Sequence, residues 1–95
     1  MKDRYYVTVE IQDRINKVRK ELEVFSEVGK LPVISDYLES FKKEGHLMEI
    51  KDFIEMKFRP TNPAESPVIS IKVIRAMKDH SYHSNLTQRL GYNYR

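Results

Sequence analysis

The chain has 95 residues, of which 40% are hydrophobic and 33% charged, and this balance fits one folded domain over residues 1–95 with a modest core. The absence of cysteine excludes a disulfide framework, a thiolate zinc site and a cysteine nucleophile. No apolar run approaches the roughly 20 residues that span a bilayer, and the first residues contain no apolar signal-peptide core. We therefore expect a cytoplasmic protein with no membrane partner.

The net charge of +3 is unevenly distributed along the chain. Residues 1–71 contain 12 basic and 13 acidic side chains, whereas residues 72–95 contain five basic side chains and a single acid, Asp79. Three tyrosines, Tyr82, Tyr92 and Tyr94, accompany these cations. Cations beside aromatic rings suit phosphate contact combined with base stacking. The alternative is a solvated segment whose tyrosines pack locally.

The first half of the chain changes its hydrophobic period. Residues 5–11 alternate between apolar and polar side chains, which predicts a half-buried strand. Apolar residues then recur every three or four positions through residue 28, which predicts a helix that Asp13 caps and Gly29 ends. Pro32 suits the first turn of a second helix, which Gly45 ends.

The second half is more ambiguous. Residues 47–58 fit a helix or a strand, and we favour one long or kinked strand because the charged residues share a face. We predict a loop over residues 59–67 and a strand over residues 68–77 that pairs with the preceding strand. A short helix is predicted over residues 84–90, followed by a loose end from about residue 91. The predicted fold class is therefore α+β. Its elements follow the order β-α-α-β-β with a short C-terminal helix, and its antiparallel sheet is expected to pack on two helices.

Residues 5–45 resemble the ribbon-helix-helix family of DNA-binding repressors. The strand, the two predicted helices and the stretch from Glu39 to Gly45 carry this resemblance. It implies a homodimer whose paired strands present Tyr6, Thr8 and Glu10 to the major groove. The Leu31-Pro32 pair departs from the serine or threonine that usually opens the second helix of that family.

Most of the chain also resembles the RelE/ParE superfamily, particularly its HigB-like toxin ribonucleases. The resemblance rests on the turn at 29–32, the strand at 47–51 with Lys51 at the family's arginine, and Lys78 leaving the last strand. It implies metal-independent RNA cleavage through the 2′-hydroxyl, which needs a base, an acid and a cation beside the phosphorane. The chain lacks a clean counterpart of the family's middle-strand arginine.

The residue types for this chemistry cluster in the last quarter of the chain. We assign Lys78 and Arg75 to phosphate charge and His80 or His83 to proton transfer. A metal on the two histidines lacks an evident third ligand beyond Asp79, so we expect neither metal nor cofactor. The expected nucleic-acid-binding residues are Lys51, Lys72, Tyr82, Arg89, Tyr92, Tyr94 and Arg95.

Three functional hypotheses follow, and the first is favoured. The protein interacts with nucleic acid, in its most specific form as a RelE-like RNA-cleaving toxin with an antitoxin partner. Alternatively, it is a phage or mobile-element protein that binds and inhibits a host protein, because its charged surface carries no clear catalytic motif. The third hypothesis is a ribbon-helix-helix repressor acting as a homodimer.

Overall fold

The computed structural model describes residues 2–81. Within that range, five antiparallel strands form one sheet, and one α-helix connects the second strand to the third. A short 3-10 helix, Pro63–Glu65, precedes the last strand. The elements are β1 (Lys2–Asp13), β2 (Lys17–Glu27), α1 (Ile34–Lys43), β3 (Met48–Asp52), β4 (Lys57–Pro60) and β5 (Val68–Lys78).

The predicted first helix is wrong, and with it the order β-α-α-β-β. The segment folds as β2, which pairs with β1 along its whole length, from Lys2 opposite Glu27 to Gln12 opposite Lys17. Leu22, Val24 and Ser26 are buried at alternate positions, as in a strand with one covered face. The three- and four-residue spacing was coincidental, because pairing with β1 decides which residues are buried. The chain is an α+β mix with one helix in the described range.

Asp13 begins a tight turn, although the sequence predicted that it would cap a helix. Its carboxylate accepts hydrogen bonds from the backbone N–H groups of Ile15 (2.7 Å) and Asn16 (2.6 Å). Those two bonds hold the pKa of Asp13 below its usual range. Asp13 N–H also donates to the carbonyl of Asn16 at 2.9 Å. The side chain therefore closes the β1–β2 hairpin.

The predicted second helix is confirmed as α1. The backbone N–H of Val33 donates to the Asp36 carboxylate at 2.9 Å, which satisfies a group that the first turn leaves unpaired. Lys42 and Lys43 lie in the last turn, where the helix dipole favours cations. Gly45 follows with a φ of +90°, the left-handed conformation that commonly ends a helix.

Residues 47–58 form a hairpin, so the prediction of one continuous strand is wrong. Asp52 accepts backbone hydrogen bonds from Ile54 (3.0 Å) and Glu55 (3.1 Å), as Asp13 does in the first hairpin. Met56 completes the reversal with a φ of +52°. Glycine is the usual residue at a positive φ, and this turn has none. Its residues also alternate as a strand would, so the sequence did not indicate a reversal of the chain.

The sheet order is β2-β1-β5-β4-β3, with α1 packed against one face. Both sides of β1 are paired within the chain, by β2 and by β5. Residues 5–11 are therefore engaged on both sides and cannot form the intermolecular ribbon of a ribbon-helix-helix dimer. The helix pair that both family resemblances imply is also missing from the described range.

The core lies between α1 and the sheet. From α1, Tyr37 and Phe41 pack on Phe58 of β4, and the Phe41 and Phe58 rings meet edge to face with centroids 4.9 Å apart. From β1, the predicted inward residues of the half-buried strand are confirmed by the burial of Tyr5, Val7 and Val9. The rest of the core comprises Leu22, Val24, Met48, Val68 and Ile71.

Strand β5 confirms the last predicted strand and its pairing with β4, but not its regular alternation. Ile71 is fully buried, whereas Ile69, also predicted to face inward, is 46% exposed. The register against β1 shifts between Thr8 and Val9 and again between Gln12 and Asp13. These bulges change which residues point inward, and a period of two cannot anticipate them. The predicted helix at 84–90 and the loose end lie outside the described residues.

Candidate nucleic-acid interface

The sheet has a second face, opposite α1, which we call the open face. Side chains alternate between the faces along a strand, and directly opposed residues on neighbouring strands share a face. Because Tyr5, Val7 and Val9 point toward α1, Tyr6, Thr8 and Glu10 point to the open face. No element among residues 2–81 packs across that face as α1 does across the other.

One row of the open face crosses four strands. Arg19 of β2 lies opposite Glu10 of β1, Glu10 opposite Lys72 of β5, and Lys72 opposite Lys57 of β4. Arg75 belongs to the next row, opposite Thr8. At about 4.8 Å between strands, the row spans roughly 14 Å.

We call Arg19, Lys57, Lys72 and Arg75 the basic patch. None of the four makes an ion pair with another residue of the described range. Two acids lie among them, Glu10 in the same row and Glu21 in the row of Arg75, and neither has an ion pair in the described range. Two carboxylates cannot neutralise four cations. With Glu10 and Glu21 counted, the basic patch therefore carries a net positive charge close to +2 on one face of the sheet.

Two other cations of the open face, Arg4 and Arg59, are already paired. Arg4 contacts Asp79 at 2.6 Å and Glu23 at 3.3 Å, and Arg59 contacts Glu49 at 2.7 Å. A hydrogen bond from Ser81, and next the bond from Arg4, lower the pKa of Asp79 to about 2. These acids and cations cancel one another, so they add little to the net charge of the basic patch.

Of the residues predicted to act in catalysis, Arg75 and Lys78 are placed on different faces of the sheet. Arg75 points to the open face, whereas Lys78 lies opposite Tyr5 and so belongs to the face covered by α1. Lys78 is also 3.4 Å from the carboxylate of Asp3, which partly neutralises it. His80 is exposed in the turn after β5, and His83 lies outside the described residues.

The predicted binding residues divide in the same way. Lys72 lies in the basic patch, and Lys51 is exposed on the edge strand β3 at an irregularity in its pairing with β4. The predictions for the final segment, which are Tyr82, Arg89, Tyr92, Tyr94 and Arg95, lie outside the described residues.

Sequence reasoning missed Arg19 and Lys57. Arg19 was assigned to a helix, and Lys57 to the charged side of a single long strand. Their proximity to Lys72 depends on strand pairing between distant parts of the chain, and charge counts along the sequence cannot detect that pairing. An Asp52-initiated turn was the one local signal that could have placed Lys57 on a separate strand.

Within residues 2–81, aromatic rings do not contribute a free stacking surface at the basic patch. Tyr6 occupies an open-face position toward the other end of the sheet, and Phe25 lies at the outer edge of β2 beside α1. The Arg4 guanidinium lies 5.2 Å from the Tyr6 ring centroid, and the Lys43 ammonium lies 5.2 Å from that of Phe25. Because both rings already face a cation, the patch itself offers charge and hydrogen-bond donors rather than base stacking.

A groove between α1 and the outer edge of β2 has a volume of about 410 Å³. Glu39 and Asp36 line it together with Lys43 and Phe25, so its charge is mixed, and it contains none of the residues predicted to bind or cut nucleic acid. Among residues 2–81, no three potential metal ligands lie close enough to hold an ion, and no helix has the length and apolarity to cross a membrane.

Comparison of the chain with models of known protein families, with curated proteins and with solved structures finds no significant match.

Proposed function

We propose that this protein binds nucleic acid through phosphate contacts made by the basic patch on the open face. The observation that carries the proposal is the direct opposition of Lys57 and Lys72 on neighbouring strands. Like charges opposite one another destabilise a sheet, and an anion placed over both side chains relieves that repulsion. A nucleic-acid backbone supplies such anions in a continuous line.

The chemistry of the patch supports binding with little sequence preference. Lysine contacts phosphate as a point charge, and such contacts position a protein on nucleic acid without reading bases. Reading a single-stranded base would require a free aromatic ring, and among residues 2–81 the rings of Tyr6 and Phe25 each face a cation already. The expected location remains the cytoplasm.

RNA cleavage is a narrower hypothesis that needs more than this patch. It requires an acid, a base and a cation around one phosphate. Arg75 and Lys78 point to opposite faces of the sheet, and His83 lies outside the described residues. The proposal is therefore one of binding, and no chemical step is derived from it.

The test measures binding of a fluorescent 20-nucleotide polyuridine RNA, and of polythymidine DNA of the same length, over a series of salt concentrations. Replacing Lys57 and Lys72 together by glutamine should weaken binding of both polymers. The slope of log affinity against log salt should fall by about 0.7 for each lost phosphate contact, or about 1.4 for the double variant.

A matched control removes charge from the other face of the molecule. Lys42 is exposed in the last turn of α1 and makes no ion pair with a described residue, so K42Q changes the net charge without touching the patch. It should leave the salt slope unchanged. The proposal is overturned if the wild-type chain binds neither polymer at low salt, or if K42Q has the same effect per charge as the patch variants.

A further inference from the structure

Strand β5 is longer than the strand that pairs with it on one side. On the β1 side its pairing continues to Lys78, but on the β4 side the last opposed pair is Lys57 and Lys72. One further hydrogen bond, from the Val73 N–H to the Met56 carbonyl at 2.9 Å, closes the β3–β4 turn against β5. Past that turn, Ile74–Lys78 has no strand on its β4 side within the described range. We call this stretch the β5 edge.

The backbone of the β5 edge has groups that point away from the sheet. The Asp79 N–H donates to the Arg4 carbonyl of β1 at 2.9 Å. Hydrogen-bonding direction alternates along an antiparallel strand, so Met77 and Arg75 also face β1, whereas Lys78 and Ala76 face away. The N–H and C=O groups of those two residues are presented to a strand that could lie alongside.

Apolar side chains surround this backbone. Ile74 is 40% exposed at the register shift, and Met77 is 54% exposed. Met77 lies opposite Tyr6 on the open-face side of the strand, and the exposed Ala76 lies opposite Val7 on the other side. The β3–β4 turn borders the start of the β5 edge and carries Phe53 and Ile54, which are 69% and 91% exposed. An added strand would cover apolar surface on both of its faces as well as satisfying the backbone.

We propose that the β5 edge binds an extended, acidic segment of a different protein, which joins the sheet as an added strand. Arg75 is exposed on the open-face side without an ion pair to a described residue, and Lys78 lies on the other side. A second copy of this chain would add another Arg75 and Lys78 to the same short stretch. Acidic side chains instead complement Arg75, since Lys78 is already partly neutralised by Asp3.

This inference shares Arg75 with the basic patch, but its main support is the backbone groups and apolar side chains outside the Lys57–Lys72 pair, and its test contains no nucleic acid. It gives a physical form to the hypothesis that the protein binds a host protein. Strand addition derives its affinity from main-chain hydrogen bonds and its selectivity from alternate side chains. The expected ligand has apolar residues toward Ile74 and Ala76 and carboxylates toward Arg75.

The test is residue-resolved amide hydrogen exchange of the full chain by NMR. In the free protein, the amides of Arg75 and Met77 should be protected and those of Ala76 and Lys78 should exchange rapidly. A millimolar eight-residue peptide that alternates valine and glutamate should slow exchange at Ala76 and Lys78. The same peptide with N-methyl groups on alternate residues of its pairing side should not.

Each other outcome overturns the proposal. Protection of Ala76 and Lys78 in the free protein, independent of concentration, would mean that another part of this chain covers the edge. Protection that rises with protein concentration would mean that a second copy does. An unprotected edge that the millimolar valine–glutamate peptide leaves unchanged would show that strand addition does not occur.

Two variants distinguish the contribution of backbone hydrogen bonds to peptide binding from that of the Arg75 charge. A76P removes an N–H that points away from β1, and proline is tolerated on an edge strand at such a position, so the sheet should survive while peptide-induced protection of Lys78 is lost. If A76P does not fold, R75E gives a second test. It should weaken binding of the valine–glutamate peptide by up to about fivefold and strengthen binding of a valine–lysine peptide. Unchanged affinity for both would contradict the proposal.

Discussion

The ring of Phe41 in α1 stands edge-on to the ring of Phe58 in β4, with their centroids 4.9 Å apart and an angle of 77° between their planes. Both side chains are fully buried. This contact joins the single described helix to the part of the sheet that also carries Lys57, the residue before Phe58. The position of the basic patch therefore depends on the packing of the core directly beneath it.

Replacing Phe58 by alanine should lower the free energy of unfolding by about 3–5 kcal/mol, because the deletion removes a fully buried ring and leaves a cavity against Phe41 and Tyr37. Urea denaturation followed by circular dichroism measures the change. Phe53 provides the control, because it is largely exposed and F53A should alter stability by no more than about 0.5 kcal/mol. Similar losses for both variants would contradict this description of the core.

Acid should weaken the junction of β1 and β5 at Asp79. The hydrogen bond from Ser81, followed by that from Arg4, holds the pKa of this carboxyl at about 2, below the value of about 4 expected in the unfolded chain. A lowered pKa means that the contribution to stability is complete above pH 4 and disappears as the pH falls toward 2. An NMR titration of the carboxyl carbon gives the pKa directly, and a midpoint near 4 would refute the prediction. D79N should remove this part of the acid sensitivity of the melting temperature.

The sequence was sufficient where one period fits and the local signals agree. Residues 5–11 alternate cleanly, and α1 has Asp36 in its first turn, lysines in its last and Gly45 beyond its end. It was insufficient in β2, because Leu22 with Phe25 fits a helix while Leu22 with Val24 fits a strand. Pairing with β1 resolves that ambiguity, and the pairing is a tertiary interaction that propensity does not encode.

The same physical limit applies to the candidate site. Lys72 and Arg75 could be named from their place on a predicted strand in a basic segment. Arg19 and Lys57 could not, because their proximity to Lys72 depends on the register of four strands. The separation of Lys78 from Arg75 likewise follows from alternation on β5, which sequence distance alone does not show.

Ser40 connects α1 to β2 through a hydrogen bond that should stabilise the fold. Its hydroxyl donates to the carbonyl of Glu23 at 2.7 Å, and the side chain is buried. S40A should therefore lower the free energy of unfolding by about 1 kcal/mol relative to S35A. Ser35 is an exposed serine of the same helix, so its replacement includes a comparable gain in helix propensity without loss of that bond. Equal stabilities of the two variants would contradict the assigned role.

The direct pairing of Lys57 with Lys72 across two strands should lower the free energy of unfolding while it increases the affinity for nucleic acid. Replacing Lys57 by glutamine removes the like-charge repulsion and should raise the free energy of unfolding by about 0.2–1 kcal/mol at low salt. The gain should shrink as salt increases, because the Debye length falls to about 3 Å at 1 M. The same variant should bind polyuridine RNA more weakly, so stability and affinity should change in opposite directions.

Denaturation and binding measured in the same buffers check both quantities, and in K42Q stability and affinity should not change in opposite directions. A K57Q chain that is less stable at low salt would mean that the lysine pair carries no electrostatic cost, and the main support for the basic patch as an anion-binding surface would be lost.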